Sequence, residues 1–382
     1  MAVVKLDSGY NIGVNPGSCI FLEHPVVPPT KRPEVVQKVS LTTLSIVSTG
    51  GTIASRIDYR TGSVTSQFDA GDILTAIPEL ATIANYRTKP IATILSENMT
   101  PAIWRELARA VHAEIRAGSA GVIVTHGTDT MAYSAAALSF MIDTPVPIVF
   151  VGSQRSADRP SSDNAMNAVC AAAAAMSDLG EVVVVMHATT NDDLCAIHRG
   201  TRVRKMHTSR RDAFQSIGIE SIGTVEYPSR TVTLKESAIR RGKYMLALHD
   251  NLEEHCGLVQ FYPGMSPDLL DAYQGYKGLV LAGTGLGHVS TTLIPRLRKL
   301  IETGTMIVMT SQCMHGRVCD RVYDTGRDLI SAGVIEGSDT LPETALAKLM
   351  WVLANERDPE KARALMQTDL KGECSVRSPH GL

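Results

Sequence analysis

The sequence predicts an α/β protein: two unequal α/β domains with parallel-rich sheets behind a short β-rich N-terminal extension. Three observations carry this reading. Short apolar, often β-branched runs recur and end in small polar or glycine-rich turns; segments with helical spacing lie between them; and the pattern lapses before residue 41 and again over 226–254. With 382 residues and 44% hydrophobic content, the chain is long enough to bury more than one core.

Residues 1–40 contain GYNIGVNPGS and then VVPPTKRP, the glycine- and proline-rich text of an abbreviated β-rich piece and a linker. Residues 41–225 read as the first α/β unit. Its strands are expected at 44–47 before Ser-Thr-Gly-Gly-Thr, at 122–124 before Thr-His-Gly-Thr-Asp, at 146–151 before Gly-Ser-Gln, and at 182–186 before His-Ala-Thr-Thr. The clearest helix covers 101–117, where Ile103, Leu107, Ala110, Val111 and Ile115 repeat at three-to-four spacing. Thr100 suits its N-cap, Pro101 its first position, and Gly118 the left-handed residue just past its end. Residues 226–254 read as a charged, turn-rich connection. Residues 255–382 form the second unit, with strands at 278–282 and 306–309. In such sheets ligands sit beyond the carboxyl ends of the strands, so the polar residues that end these runs are the first candidates for chemistry.

Composition excludes several classes. Lys and Arg total 37 against 39 Asp and Glu, a net charge of -2, so no global basic field holds nucleic acid and any RNA contact is local or made through a partner. No run approaches the roughly 18 apolar residues of a membrane span, the Ala-rich stretch at 171–175 being far too short. Lys5 and Asp7 stand where a signal peptide needs an apolar block, which points to the cytoplasm. The seven cysteines are scattered without a C-x-x-C pair, as expected of reduced thiols. Cys313-Met-His315-Gly-Arg-Val-Cys319 fits no structural zinc spacing, and no metal is expected. There is no G-x-x-x-x-G-K-[ST], and Gly283-Thr-Gly-Leu-Gly287 lacks the third glycine of a dinucleotide fingerprint, so this chain is expected to hold no nucleotide cofactor.

Two threonine-bearing turns follow apolar runs directly: Ser48-Thr49-Gly50-Gly51-Thr52 and Thr125-His126-Gly127-Thr128-Asp129-Thr130. Glycines beside hydroxyl residues let backbone N–H groups point at a ligand, which stabilises an oxyanion without a metal. A threonine nucleophile needs a proton acceptor within reach, and a lysine held neutral beside another cation is one solution. Lys205, in Arg202-Val-Arg204-Lys205, fits that role if its arginine neighbours stand close in space; a solvated basic loop is the plainer reading. Asp129, next to Thr128, is placed to orient the lysine as the third group of a triad does.

Ile46-Val-Ser-Thr-Gly-Gly-Thr52-Ile-Ala and Gly121-Val-Ile-Val-Thr-His-Gly-Thr128-Asp129-Thr130-Met are long, specific signatures. Through them the chain, from about 41 to 370, resembles the bacterial-type L-asparaginase/glutaminase family. The resemblance implies that family's two-domain fold, an amidohydrolase activity and a homodimer. It implies Thr52 as the nucleophile, Tyr59 as the flap tyrosine bonded to it, and Thr128, Asp129 and Lys205 as a rigid triad, with either threonine open as the first to attack. Ser96 and Glu97 resemble the pair that binds the substrate's α-carboxylate and α-amino ends, Glu97 standing where free asparaginases commonly have glutamine.

Gly152-Ser-Gln-Arg-Ser-Ala-Asp-Arg-Pro-Ser-Ser-Asp163, the segment from His198 to Phe214, and Leu95-Ser-Glu-Asn-Met99 resemble one branch of the family, the D subunits of archaeal glutamyl-tRNA(Gln) amidotransferases. That resemblance implies a glutaminase that passes ammonia to an E subunit. The partner would bind the mischarged Glu-tRNA(Gln) and use ATP and Mg, and the D homodimer would lie within a heterotetramer. The alternatives are a free cytoplasmic L-asparaginase/glutaminase and, from another class, a catalytically silent scaffold protein. Arg199, Arg202, Arg204, Arg210 and Arg211 are read either as contacts to partner or tRNA or as salt bridges around the active-site floor.

Overall fold

Alternation along buried strands sorts the core of the first unit into two layers. Leu44, Ile46, Ile123, Val149, Val151, Val183 and Val185 pack with the alanine-rich helix on one face of a sheet, while Val47, Val122, Val124, Ile148, Phe150, Val182 and Val184 pack with two helices on the other. The computed structural model describes residues 2–5, 11–18, 40–50, 55–58, 63–66, 74, 77–156 and 161–377. The sheet's strands are β1 (Thr43–Gly50), β2 (Asn85–Ile94), β3 (Val122–Thr125), β4 (Ile148–Val151), β5 (Val182–His187), β6 (Leu194–Arg199), β7 (Gly223–Glu226) and β8 (Val232–Leu234). Their order is β8-β7-β6-β5-β4-β3-β1-β2. From β2 to β5 neighbours are parallel, and β6, β7 and β8 complete the sheet antiparallel.

Helices α1 (Pro101–Arg116) and α2 (Met131–Met141) cover one face and α3 (Asn164–Met176) the other. The ends of α1 follow the sequence: the Thr100 side chain accepts from the Ile103 N–H at 3.3 Å, and Gly118 takes φ 87°. By contrast α2 is buried on nearly every side, so it carries no amphipathic stripe to read.

The smaller sheet holds β9 (Cys256–Gln260), β10 (Gly278–Gly283), β11 (Met306–Ser311) and β12 (Ile335–Glu336), all parallel and in sequential order. Its helices are α4 (Ile294–Glu302) and α5 (Asp324–Ser331) on one face, α6 (Pro342–Asn355) and α7 (Pro359–Gln367) on the other. Helix α6 belongs to both cores. Its Ala347 and Met350 pack with Phe140 of α2, and its Trp351 ring lies 6.3 Å from Phe140.

In the N-terminal extension, 2–5 pairs antiparallel with 11–14. The stretch 226–254 is more ordered than its turn-rich text suggests: β8 extends the large sheet, and 247–248 pairs with 142–143. Those pieces are two or three residues long, too short to show a period. The six described cysteines are free thiols. Among the described residues no group of three or more His, Cys, Asp or Glu is arranged to hold a metal ion, and no helix is long and apolar enough to cross a membrane.

Candidate active site

The order β2-β1-β3-β4-β5 makes the chain reverse direction across the sheet between β1 and β3. The described end of the β1–β2 connection, with Ile77 and Leu80, packs on the α3 face of the sheet and α2, after β3, on the other, so a crevice opens between the two strands at their carboxyl ends. Both threonine turns begin there. A bulge interrupts the pairing of β1 with β2 between Ser48 and Gly50. Gly50 has φ 101°, and a Cβ there would lie 2.7 Å from the Ile94 carbonyl oxygen, so only glycine fits. Below the turns a buried hydroxyl ladder joins the strands: Thr49 Oγ1 donates to the Thr125 carbonyl at 3.1 Å and Thr125 Oγ1 to Ser48 Oγ at 3.0 Å.

The turn after β3 rests on the loop after β2. A Cβ on Gly127 would sit 2.6 Å from Ser96 Cβ, and Thr130 Oγ1 donates to the Ser96 carbonyl at 2.7 Å. Ser96 is thus buried against the turn, and Glu97 beside it is exposed. Within the turn His126 is fully buried, its Nδ1 2.7 Å from the Gly127 carbonyl oxygen. Burial pushes its pKa down to about 4, so at neutral pH it is an uncharged donor bracing the turn.

Lys205 arrives from the far side, on a two-stranded ribbon pairing 203–205 with 214–216. Its Nζ donates to Thr128 Oγ1 at 2.9 Å and to Asp129 Oδ1 at 2.7 Å. Thr128 is buried, the lysine side chain is 13% exposed and Asp129 is 68% exposed. A hydroxyl, an amine and a carboxylate therefore form one hydrogen-bonded chain whose carboxylate end opens to solvent. Such a chain can move a proton at the hydroxyl and hold a cationic ligand group at the carboxylate.

The arginines beside Lys205 do not crowd it. Arg202 is 1% exposed and paired with Asp339 at 3.2 Å, and Arg204 stands 3.5 Å from Glu343. The period-two geometry of the strand sends these side chains toward the second domain while the lysine points to the turn. Arg199 pairs with Glu181 at 2.8 Å, Arg210 with Asp212, and Arg211 with Asp192 at 2.5 Å. All five arginines of the segment thus have intramolecular carboxylate partners.

Sequence reasoning missed a second buried constellation behind Thr128. The Asp163 carboxylate accepts from Ser153 Oγ at 2.8 Å, from the Gln154 N–H at 2.9 Å and from the Arg155 N–H at 3.0 Å. It also accepts from Asn167 Nδ2 at 2.9 Å. This latch fixes the loop after β4, whose Gly152 leaves room for the Thr128 methyl: a Cβ there would be 2.9 Å from Thr128 Cγ2. Asn167 in turn meets His187 Nδ1 at 2.5 Å. The available signals were the resemblance over 152–163 and an aspartate immediately before a helix. Thr52 and Tyr59, the expected nucleophile and flap residue, lie outside the described residues.

Residues 43–240 match the family model described as Asparaginase, N-terminal, and 255–366 match the Glutaminase/Asparaginase C-terminal domain. The D subunit of a glutamyl-tRNA(Gln) amidotransferase from Methanosarcina mazei is 61% identical, the alignment covering 91% of this chain and 83% of that protein. The chain belongs to the D subunit family of glutamyl-tRNA(Gln) amidotransferases. Another such D subunit, from Halobacterium salinarum, is 54% identical over 98% of this chain and 92% of its own. Among solved structures, the thermostable L-asparaginase from Thermococcus kodakarensis superposes with a TM-score of 0.78 at 33% identity, over 88% of this chain and all of that one. The fold is therefore that of an L-asparaginase, with the two α/β domains expected from the sequence, and the chain is an enzyme of amidohydrolase type.

Proposed function

We propose that this D subunit hydrolyses glutamine to glutamate and supplies the ammonia to an E subunit. That partner would use it, with ATP and Mg, to convert Glu-tRNA(Gln) to Gln-tRNA(Gln) as a glutamine-dependent carbon–nitrogen ligase. The observation that carries the reading is the contact of Lys205 Nζ with both Thr128 Oγ1 and Asp129 Oδ1 at the β1/β3 crevice. Thr52 attacks the side-chain amide carbon of glutamine, forming a C–O bond and a tetrahedral intermediate. Backbone N–H groups of the glycine turns at 50–51 and 127 hold its oxyanion, each contributing about 3 kcal/mol in comparable sites. Thr128 and Lys205 relay the proton released by the attacking hydroxyl to the departing nitrogen. The C–N bond breaks, ammonia leaves, and water cleaves the acyl-enzyme to give glutamate.

Asp129 anchors the lysine and, through its solvent-facing side, the substrate's α-amino group. Ser96 and Glu97 bind the α-carboxylate and α-amino ends, and Tyr59 closes over Thr52. The catalytic residues lie in a domain spanning 41–225, joined through 226–254 to a second domain over 255–382, with 1–40 as an extension. The chain works in the cytoplasm as a homodimer within a heterotetramer, needs no cofactor or metal of its own, and meets tRNA mainly through its partner. Relatives of 54–61% identity that are themselves amidotransferase D subunits favour this assembly; the 33% identity to a free L-asparaginase keeps a stand-alone amidase as the second reading. Co-purification with an E subunit, and glutamine turnover stimulated by mischarged tRNA, separate the two. Thr52→Ala is expected to abolish ammonia release from glutamine; normal glutamate formation by that variant would refute Thr52 as nucleophile.

A further inference from the structure

Lysine is a poor choice for a fixed catalytic group unless something holds its backbone, because its four-carbon stem rotates freely. Lys205 sits on a three-residue strand paired, among the described residues, only with 214–216. Three residues earlier lies Arg202, among the largest fully buried side chains of the described residues. All five of its N–H donors are used. Nε donates to the Gly372 carbonyl at 2.9 Å. Nη1 donates to the Asp339 carbonyl at 3.1 Å and to Asp339 Oδ2 at 3.2 Å. Nη2 donates to the same Oδ2 at 3.2 Å and to Ser375 Oγ at 2.8 Å.

These acceptors come from the loop before α6 and from the C-terminal tail. The same pieces seize the preceding residue. Thr201 Oγ1 donates to the Lys371 carbonyl at 3.0 Å, and the Thr201 carbonyl accepts from Thr344 Oγ1, on the first turn of α6, at 3.0 Å. The tail is itself fastened to that loop, the Ser375 N–H donating to Asp339 Oδ1 at 2.8 Å. Just past the facing strand the Ile217 N–H donates to the Arg202 carbonyl at 2.8 Å. Fastening so dense, at a residue only 1% exposed, is more than a peripheral ribbon needs to stay attached.

We infer that Arg202 is a positioning residue for Lys205: with Asp339 and the tail segment 371–375 it clamps the ribbon so that the lysine amine meets Thr128. The inference rests on the proposed glutaminase reaction and assigns a role in it to the second domain and the tail. Positional errors of about 1 Å in such groups cost on the order of 100-fold in rate, which sets the size of the expected effect.

The test compares the full chain, assembled in its amidotransferase complex, with Arg202→Lys and Ser375→Ala, following ammonia release from glutamine per folded molecule. Arg202→Lys keeps the charge opposite Asp339 but loses the fork to Gly372 and Ser375. It is expected to fold, and to lower kcat about 10- to 100-fold with KM within about threefold. Ser375→Ala should shift kcat the same way by a smaller factor. A folded Arg202→Lys enzyme with kcat within twofold of wild type, or with only KM changed, would overturn the clamp. Wild-type complex that releases no ammonia would instead overturn the glutaminase reading.

Discussion

The molecule contains two large sheets, one mixed and one parallel, with glycine-rich turns at the carboxyl edges of their parallel strands, and among the described residues only one edge joins a hydroxyl, an amine and a carboxylate. In the large sheet the order reverses between β1 and β3, and a crevice forms into which Thr128, Asp129 and Lys205 converge. In the small sheet β9 to β12 follow one another without reversal. Its edge hydroxyl and amide groups bond the local backbone instead: Ser311 Oγ donates to the Gly285 carbonyl at 2.6 Å and Gln312 Nε2 to the Ala282 carbonyl at 2.9 Å. Polar residues at strand ends are therefore not enough. The topology must open a gap between them.

The same contrast holds for buried charge. At the large-sheet edge the Asp163 carboxylate is saturated with donors. At the small-sheet edge Asp320 is fully buried, and both its carboxyl oxygens lack a partner among the described residues. Burial, helped by nearby Glu336, pushes its pKa up to about 7.

The largest effect that would break this comparison is at Thr128. Thr128→Val keeps the shape and removes the hydroxyl that Lys205 contacts. Glutamine turnover should fall by about 1,000-fold with little change in melting temperature; a drop below tenfold would remove the large-sheet edge from the chemistry. Next comes Gly127→Ala, whose Cβ would lie 2.6 Å from Ser96 Cβ. The turn must shift, so turnover should fall about 10- to 100-fold and stability by about 1–3 kcal/mol. Wild-type kinetics in that variant would mean that the turn after β3 does not need its seat on Ser96.

The smallest effect sharpens the comparison through pH. His126 and His198 are held near 4 by burial, below the ordinary 6.5. The unfolded chain therefore binds protons first, and stability is lost as pH falls from 6.5 through 4. Asp320 has the opposite sign: with a folded pKa near 7 against 3.8, its contribution is lost as pH rises through 7. Asp320→Asn should therefore gain about 3 kcal/mol more at about pH 8 than at about pH 5. Equal shifts in melting temperature at the two pH values would contradict a raised carboxyl.

Much of this contrast was legible in the sequence. The hydroxyl-ended runs mark the strands, and the Thr100 cap and Gly118 bound α1 because capping is local chemistry. The contact of Thr128 and Asp129 with Lys205, 76–77 residues away, was suggested by residue chemistry and made specific by the resemblance, since no local pattern brings those positions together. Pairs such as Arg202 with Asp339, or the buried Lys348 with Glu373 at 2.6 Å, left no trace in spacing. Each is a long-range match of charges that, read singly, look like solvated surface. The antiparallel edge strands β7 and β8 were hidden for another reason: three or four residues are too few to establish a period.

In the proposed reaction an amine on a clamped ribbon serves a hydroxyl at the strand-reversal crevice. The most direct test of that role is glutamine hydrolysis by the assembled full chain carrying Lys205→Met, with folding checked by circular dichroism. The variant is expected to fold and to release ammonia about 1,000-fold or more slowly. Turnover within tenfold of wild type would contradict that role.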